Sequence, residues 1–385
     1  MRRVQTPMIP VVGEWIVQHP GTISLGQGIV HYAPPAQVTA AVAKAVQGEP
    51  RIHRYGMVRG IPELLAPIER KIAAENQIDL AGRQQVVVVT AGSNMGFLNA
   101  VLAIGDVDDE VILLSPYYFN HEMAIQLAGC RPVIVPTDHH YQLDVPALEA
   151  AITSRTRAIV TVSPSNPTGA VYQASGLDAV NELCRSRGIY HVSDEAYEYF
   201  IYGDRRHYSP ASRPESARHT ISLFSLSKAY GMAGWRVGYM VVPAELETAI
   251  KKIQDTNLVC PPILSQFAAA AALELGAGWC AEKIAEFACV RDLVLTELNR
   301  LGTRCRVPRP DGAFYVLAEL ETDQTDVALV ERLIREFGVA VMPGSTFGAV
   351  APTALRIAYG ALARETVAEG MGRLVNGLGK ILDAR

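Results

Sequence analysis

Short runs of β-branched and apolar residues alternate with segments of helical spacing through the middle of this chain, and that alternation limits the possible folds most narrowly. Six runs predict buried strands: 85–90, 110–114, 132–135, 158–162, 190–193 and 220–224. Helical spacing covers 94–104, 121–127 and 177–187. Continuous apolar strands joined by helical crossovers predict an α/β fold with a mainly parallel sheet covered on both faces. The connection that leads from the run 220–224 to residues 237–242 is too short to hold a crossover helix, so we expect residues 237–242 to form an antiparallel seventh strand.

The pattern changes after Pro243. Long helical stretches over 244–255 and 263–301 precede two strand-like pieces, 312–319 and 354–359, which predict a smaller α+β domain. The stretch up to about Pro35 is rich in Pro and Gly without clear periodicity, so we expect an arm packed on the small domain or on a partner subunit. The predicted division is 1–35 for the arm and part of the small domain, 36–262 for the large domain and 263–385 for the small domain.

Composition excludes several classes of protein. A formal net charge of -4 disfavours nucleic acid or an anionic membrane as the main partner. The six cysteines contain no CxxC pair, which predicts neither a disulfide framework nor a zinc cluster and fits a reducing cytoplasm. No apolar core of a signal peptide follows the first residues, and no run approaches about 18 apolar residues. We therefore expect a cytoplasmic protein without a membrane span or a bound metal.

Polar residues cluster where five of the predicted strands end. The clusters are 91–94, 116–121, 164–169, 194–197 and 225–228. Ligands of such sheets bind outside the carboxyl ends of the strands. We therefore expect one site assembled from all five clusters.

Lys228 is the most informative residue of these clusters. It lies in Ser225-Leu226-Ser227-Lys228 directly after a predicted strand, and Arg236 follows in a glycine-rich turn. A lysine that forms a Schiff base needs a protected site that lowers its pKa. A phosphate-bearing aldehyde cofactor also needs a cation and hydroxyl donors nearby. The segment supplies all of these and predicts an anchor for pyridoxal phosphate, with Ser225 and Arg236 at the phosphate.

Two further strand ends offer partners for the ring of such a cofactor. Asp194 could cap a helix, but beside a lysine anchor it favours pairing with a protonated pyridine nitrogen. Asn166, in Asn166-Pro167-Thr168-Gly169, is a turn signal that could also direct its amide to a ring hydroxyl. Tyr197 is a second candidate donor to the same oxygen.

The remaining candidates lie at a helix start, in an aromatic run and in a late strand. Gly92-Ser93-Asn94 begins a helix, where exposed amides and the Ser93 hydroxyl favour phosphate. Tyr118, within three consecutive aromatics, could stack on a ring, and His121 could support Asp194 from behind. Arg356 interrupts an apolar run; it serves either a substrate carboxylate or a structural ion pair.

With these residues identified, the chain resembles the class I/II aminotransferases of pyridoxal phosphate fold type I over essentially its whole length. The resemblance is carried, in order and spacing, by 225–238, by the turn 166–169, by Asp194-Glu195-Ala196-Tyr197 and by the C-terminal pattern 343–357. It implies a large domain with a mainly parallel seven-stranded sheet and a smaller α+β domain. It also implies a homodimer that transfers an amino group from an L-amino acid to a 2-oxo acid by a ping-pong mechanism.

The resemblance further implies a role for each candidate. Lys228 is the Schiff-base lysine and then moves a proton, Asp194 pairs with the pyridine nitrogen with His121 behind it, and Tyr118 stacks on the ring. Asn166 and Tyr197 contact the ring oxygen, while the phosphate binds Ser93, Asn94, Ser225, Arg236 and, from the neighbouring subunit, Tyr55. Arg356 holds the substrate α-carboxylate, with Gly28 and Asn166 also at the substrate.

The chain departs from the family pattern near the substrate. The family often has Gly-x-Pro-x-Phe where this chain reads Gly28-Ile29-Val30-His31-Tyr32, and no second arginine can be assigned to a distal carboxylate. Together with Tyr32, Tyr55 and Tyr118 around the expected entrance, this favours aromatic or neutral substrates such as Phe, Tyr or Met. An aspartate-type aminotransferase, and a lyase or synthase on the same scaffold, remain alternatives. A regulator would carry a basic DNA-binding domain, which the sequence does not predict.

Overall fold

The structure, a computed structural model, describes residues 4–82, 84–349 and 353–383. Residues 1–3 of the predicted arm lie outside these ranges. The strands are β1 (Ile23–Ser24), β2 (Gln85–Thr90), β3 (Glu110–Ser115), β4 (Arg131–Pro136), β5 (Thr156–Val162), β6 (Tyr190–Asp194), β7 (Thr220–Ser225), β8 (Gly238–Pro243), β9 (Cys305–Arg306), β10 (Tyr315–Leu320), β11 (Val339–Ala340), β12 (Met342–Pro343) and β13 (Thr353–Ala358).

The helices surround these strands on both sides. They are α1 (Met8–Gln18), α2 (Ala36–Gly48), α3 (Pro62–Glu75), α4 (Ser93–Ile104), α5 (Phe119–Leu127), α6 (Val145–Ala151), α7 (Ala174–Arg187), α8 (Glu247–Asn257), α9 (Ile263–Leu273), α10 (Gly276–Ile284), α11 (Phe287–Asn299), α12 (Asp326–Phe337) and α13 (Arg364–Asp383).

A seven-stranded sheet in the order β2-β8-β7-β6-β5-β3-β4 confirms the predicted architecture. All neighbouring pairs are parallel except those of β8, which runs antiparallel to both β2 and β7. Only two residues, Arg236 and Val237, separate the short 3-10 helix of the lysine loop, Ala233–Trp235, from the start of β8, so a crossover helix could not form.

Both faces of this sheet are buried along its inner strands, which explains why those strands are continuously apolar. The prediction of a buried strand at 132–135 was wrong, because β4 lies at the edge of the sheet, where Val135 is buried but Ile134 is 42% exposed. In β3, Val111 and Leu113 belong to one hydrophobic cluster, whereas Ile112 and Leu114 belong to the cluster on the opposite face. The side chains alternate because successive residues of a strand point to opposite faces. All five strand ends that were expected to form the site therefore open at one edge of the sheet.

The second sheet has four strands in the order β12-β13-β10-β9, all antiparallel. The predicted strands 312–319 and 354–359 correspond to its two central members. Helices α12 and α13 pack together beside it. This sheet carries Arg356 toward the edge of the larger one.

Two further local predictions were wrong. The N-terminal stretch was expected to have no regular structure, but α1 forms there; the stretch packs on elements of the small domain, with α1 against α12 and β1 paired in parallel with β11. The stretch 263–301 is not one helix but α9, α10 and α11, with Gly276 at a φ of 66° after the first break. A left-handed residue of this kind interrupts a right-handed helix. The domain boundary at 262 stays a prediction. Helix α9, which follows this boundary, packs on α2 and α3 of the predicted large domain.

By length and composition, no single helix in the described ranges could span a bilayer; one bent pair, α9 with 276–299, meets the same test at a bend of 84°.

Candidate active site

One cavity of about 240 Å³ lies where the strand ends of the large sheet face the four-stranded sheet. Most of the predicted site residues line it together: Gly28, Ser93, Asn94, Tyr118, Asn166, Asp194, Tyr197, Ser225, Lys228, Arg236 and Arg356. The structure thus brings residues from five strand ends and from the second sheet around one space. The predicted roles of these residues stay predictions.

Lys228 lines this cavity, and its Nζ donates to the carbonyl of Gly28. Burial, followed by the positive charges of Arg356 and Arg236, lowers the pKa of Lys228 from 10.5 to about 8, although the charge of Asp194 acts in the opposite direction. A fall of this size raises the neutral fraction at pH 7 about 300-fold, because each pKa unit is a factor of ten. The lysine is therefore prepared to act as a nucleophile near neutral pH.

Asp194 ends β6 and is supported by a histidine. Its Oδ1 accepts from the backbone N–H of Ala196 at 3.1 Å, and its Oδ2 lies 3.0 Å from His121 Nε2. The His121 ring is 1% exposed and stacks on Phe97 at 3.9 Å between centroids. The chain after Asp194 forms turns rather than a helix, so its carboxylate does not serve as a helix cap. His121 does not line the cavity; it lies behind the aspartate, where the sequence placed it.

Arg356 is 2% exposed in the centre of β13. Its Nη1 donates to Asn166 Oδ1 at 3.1 Å and its Nη2 to the carbonyl of Gly26 at 2.7 Å, while its Nε has no partner. No carboxylate within the described ranges forms an ion pair with it. Burial lowers its pKa, because the charge has left water without gaining a counter-ion. A buried guanidinium without a counter-ion is suited to binding an anionic group of a ligand. A structural ion pair within the described residues therefore does not explain why Arg356 is buried.

The cavity end near α4 is suited to an anion. Helix α4 begins at Ser93 without a capping side chain, so its first N–H groups remain available. The Arg236 guanidinium lies against Gly92, where a Cβ would be 2.4 Å from its Nη2. Arg236 itself has a φ of 49°, and its Nη1 donates to the carbonyl of Ala233 at 2.8 Å. Gly92, at a φ of 83°, thus allows the helix start and this cation to approach each other.

Tyr118 forms another wall of the cavity. Asn120 Nδ2 donates to its hydroxyl at 2.8 Å, and its ring lies edge-on to His121 at 5.2 Å. Burial raises the pKa of Tyr118, so the phenol stays neutral. The predicted run of three stacking aromatics holds only in part, because the Tyr117 ring packs against Gly348 instead.

Two entrance tyrosines do not line the cavity. Tyr32 donates to the carbonyl of Ala229 at 2.9 Å and packs edge-on to Trp279, so it supports the lysine loop from outside. Tyr55 is 84% exposed, away from the cavity of its own chain. Neither residue is among the described residues that line the cavity, and their place at an entrance stays a prediction. Ile9, Ile29 and Phe119 contribute apolar surface to the cavity lining.

Sequence reasoning missed Ser227 and Tyr315, which both line the cavity. Ser227 had a signal, since it directly precedes Lys228. Tyr315 had none, because an aromatic residue in a predicted strand is usually a core residue. Its hydroxyl lies 2.7 Å from that of Tyr197. Burial raises the pKa of Tyr315 to about 12, while Arg356 and the bond with Tyr197 oppose that rise.

The sheet order and a lysine in the loop after β7 are typical of the fold type I transferases. The profile of the family "Aminotransferase class I and II" matches residues 20–374. The chain is 36% identical to a probable aspartate/prephenate aminotransferase of Aquifex aeolicus, over 93% of this chain and 91% of that one. It is 33% identical to the aromatic aminotransferase ISS1 of Arabidopsis thaliana, over 98% and 94%.

Solved structures agree with these relatives. The aspartate aminotransferase of Thermus thermophilus with maleate is 31% identical, covers 98% of both chains and superposes with a TM-score of 0.89. The aromatic aminotransferase of Pyrococcus horikoshii is 32% identical, with a TM-score of 0.88 over 96% of this chain and 99% of that one. This chain therefore belongs to the class I and II aminotransferase family. It is an aminotransferase of the aspartate/aromatic class, as its sequence predicted.

Proposed function

We propose that this aminotransferase binds pyridoxal phosphate and moves an amino group from an aromatic or neutral L-amino acid to a 2-oxo acid by a ping-pong mechanism. The observation that carries the proposal is one cavity with a lysine of lowered pKa opposite a buried arginine that lacks an anion. When bound, the cofactor supplies an aldehyde for the amino group and a ring that accepts electrons.

The residues present fit that cofactor at each end. The uncapped start of α4, Ser93, Ser225 and Arg236 would hold its phosphate. Asp194, with His121 at 3.0 Å, would hold a protonated ring nitrogen, because a buried carboxylate favours a neighbouring cation. Lys228 would anchor the cofactor and, once displaced, carry a proton between the substrate Cα and the cofactor's C4′.

Arg356 would bind the α-carboxylate of the substrate. Two of its N–H groups are fixed by Asn166 and Gly26, which orients the remaining donors. A planar fork held in this way binds a carboxylate with defined geometry rather than as a diffuse charge. The bound α-amino group would then lie toward Lys228 in the same cavity.

The lining favours an uncharged side chain on the substrate. Among the described residues that line the cavity, Lys228, Arg236 and Arg356 are the cations, and each already has a proposed partner. Ile9, Ile29 and Phe119 add apolar surface to the lining. The names of relatives include both aspartate and aromatic aminotransferases, so an aspartate-type activity is the second candidate.

A comparison of amino donors tests the substrate proposal. We expect kcat/KM for L-phenylalanine to exceed that for L-aspartate by at least tenfold with the same 2-oxo acid, since a distal carboxylate would lack a cation. L-Methionine should lie on the side of phenylalanine. A higher kcat/KM for aspartate would overturn the proposed preference while leaving the family assignment intact.

We also propose a homodimer in which Tyr55 reaches the phosphate site of the partner. Tyr55 and Met57 are 84% and 60% exposed. Their loop lies next to the loop of Val259, since the Gly56 N–H donates to Cys260 Sγ. Val259 is itself exposed and has a strained φ of 69°. An apolar patch of this kind is typical of an interface. Size-exclusion chromatography with light scattering measures the oligomeric state, and a monomer at micromolar protein concentration would contradict the proposed dimer.

A cytoplasmic location stays a prediction from composition.

A further inference from the structure

The Arg356 guanidinium lies against two buried aromatic rings. Its Cζ is 4.8 Å from the centroid of the Tyr315 ring and 4.5 Å from that of Phe347. Both residues are almost fully buried, at 1% and 0% exposure. Attraction between a cation and a ring face strengthens when both are removed from water. The two rings therefore compensate part of a charge that has no carboxylate partner in the described part of the chain.

The register of the small sheet explains how Tyr315 reaches that position. Arg356 pairs with Leu317 between the antiparallel strands β13 and β10. Tyr315 lies two residues before Leu317 and hence on the same face of the sheet. Diagonal neighbours across a strand pair are within reach of long and aromatic side chains. The ring is thus fixed to Arg356 by strand pairing rather than by a mobile loop.

The hydroxyl of Tyr315 makes a separate contact. It lies 2.7 Å from the Tyr197 hydroxyl, and a Cβ at Gly28 would be 2.7 Å from its oxygen. The Gly28 carbonyl is the group that accepts from Lys228. One side chain therefore contacts the carboxylate-binding arginine, the phenol predicted at the cofactor ring and the backbone that holds the lysine.

We propose that Tyr315 is a positioning residue whose ring holds Arg356 for the substrate carboxylate and whose hydroxyl donates to Tyr197. The second half rests on the proposed function and on the role predicted for Tyr197 from the sequence, in which its hydroxyl donates to the ring oxygen of the cofactor. A phenol has one proton. If Tyr197 gives that proton to the cofactor, Tyr315 must be the donor between the two hydroxyls, and such a chain strengthens each bond.

Binding of 3-phenylpropionate to the holoenzyme, measured by calorimetry, tests the ring. This ligand has the carboxylate and no amino group, so it reports on Arg356 without reaction. We expect Phe347→Leu and Tyr315→Leu to raise its Kd about tenfold, and Tyr315→Phe, which keeps the ring, to change it less than about twofold. Phe337→Leu is the matched control, since Phe337 contacts Lys380 at 5.9 Å outside the site. Unchanged affinity in Phe347→Leu and Tyr315→Leu would overturn the role of the rings.

The pH midpoint of the visible lysine–cofactor absorption tests the hydroxyl. We expect Tyr315→Phe to raise it by at least about half a unit, because Tyr197 then stabilises the ring oxygen less and the adjacent nitrogen keeps its proton to higher pH. The same change in a Tyr197→Phe background should add nothing. Tyr141→Phe, which removes a bond to Glu319 remote from the cavity, is the control. An unshifted midpoint refutes the hydroxyl's role, whereas absence of any such absorption in the unaltered protein refutes the proposed function.

Discussion

Replacing Arg356 with methionine should abolish carboxylate binding while leaving the fold nearly as stable. Methionine fills similar space between the rings of Tyr315 and Phe347 and makes favourable sulfur–aromatic contacts. It removes a cation that has two polar acceptors but no counter-ion among the described residues. The substitution therefore separates a ligand-binding role from a structural one.

The magnitudes follow from the contacts. Two hydrogen bonds from a guanidinium to a carboxylate stabilise a complex by about 1.5–3 kcal/mol each, so their loss lowers kcat/KM by about 10²–10⁴-fold. In the free protein, leaving Asn166 Oδ1 and the Gly26 carbonyl unpaired costs about 1–3 kcal/mol each. Removal of a desolvated charge offsets this by several kcal/mol. We expect the net change in unfolding free energy to stay within about 2 kcal/mol.

Steady-state kinetics and urea unfolding of the same preparations measure the two effects. Arg356→Lys is the matched variant, because it keeps the charge but not the planar fork; we expect a loss in kcat/KM between those of the other two proteins. If Arg356→Met unfolds several kcal/mol more easily yet retains kcat/KM, then Arg356 is structural and the assignment of the carboxylate site is wrong.

Three further outcomes are expected. Burial lowers the pKa of His191 from 6.5 to about 3. Below about pH 6.5 the His191 side chain therefore binds a proton in the unfolded chain but not in the folded chain, so the free energy of unfolding falls as the pH drops. Unfolding by urea at pH 7 and pH 5 should show this residue costing about 2 kcal/mol over that interval, and His191→Gln should remove that part. Gly92→Ala should weaken cofactor binding at least tenfold, because the new methyl group displaces the Arg236 guanidinium. Gly188→Ala is the control: Gly188 has a φ of 66° but open space around its Cβ, so the substitution should change stability alone. Equal cofactor affinities of the two variants by equilibrium dialysis would contradict this. Tyr55→Phe should weaken cofactor binding about fivefold, by one hydrogen bond, without dissociating the dimer, and unchanged cofactor affinity would remove Tyr55 from the phosphate site.

The sequence predicted the large sheet well because its strands are buried on both faces. The run 85–90 could be predicted as a strand from its continuous apolar residues. The short connection into 238–243 leaves no room for a crossover helix, which predicts that this strand runs antiparallel to its neighbours. The polar residues at their ends could be predicted for the same reason: Asp194 is the last residue of β6, and Lys228 lies three residues after the end of β7.

Features that depend on contacts distant in sequence could not be predicted. Tyr315 reaches Tyr197 over 118 positions, through pairing of β10 with β13 rather than through any local pattern. Tyr32 has an aromatic side chain near the expected entrance, but its hydroxyl is held by the carbonyl of Ala229, 197 positions away. Helix α1 was missed because the Pro and Gly content of the flanking chain masks its apolar face, which packs on α12.

A single half-reaction tests the central claim that Lys228 and Arg356 serve transamination in one cavity. The holoenzyme is mixed with L-phenylalanine in the absence of any 2-oxo acid, and cofactor absorption and products are followed together. We expect the visible absorption to disappear with one phenylpyruvate formed per site and no free ammonia, and Lys228→Ala to show neither the original absorption nor the product. Release of ammonia, or product formation by Lys228→Ala at the unaltered rate, would contradict the account.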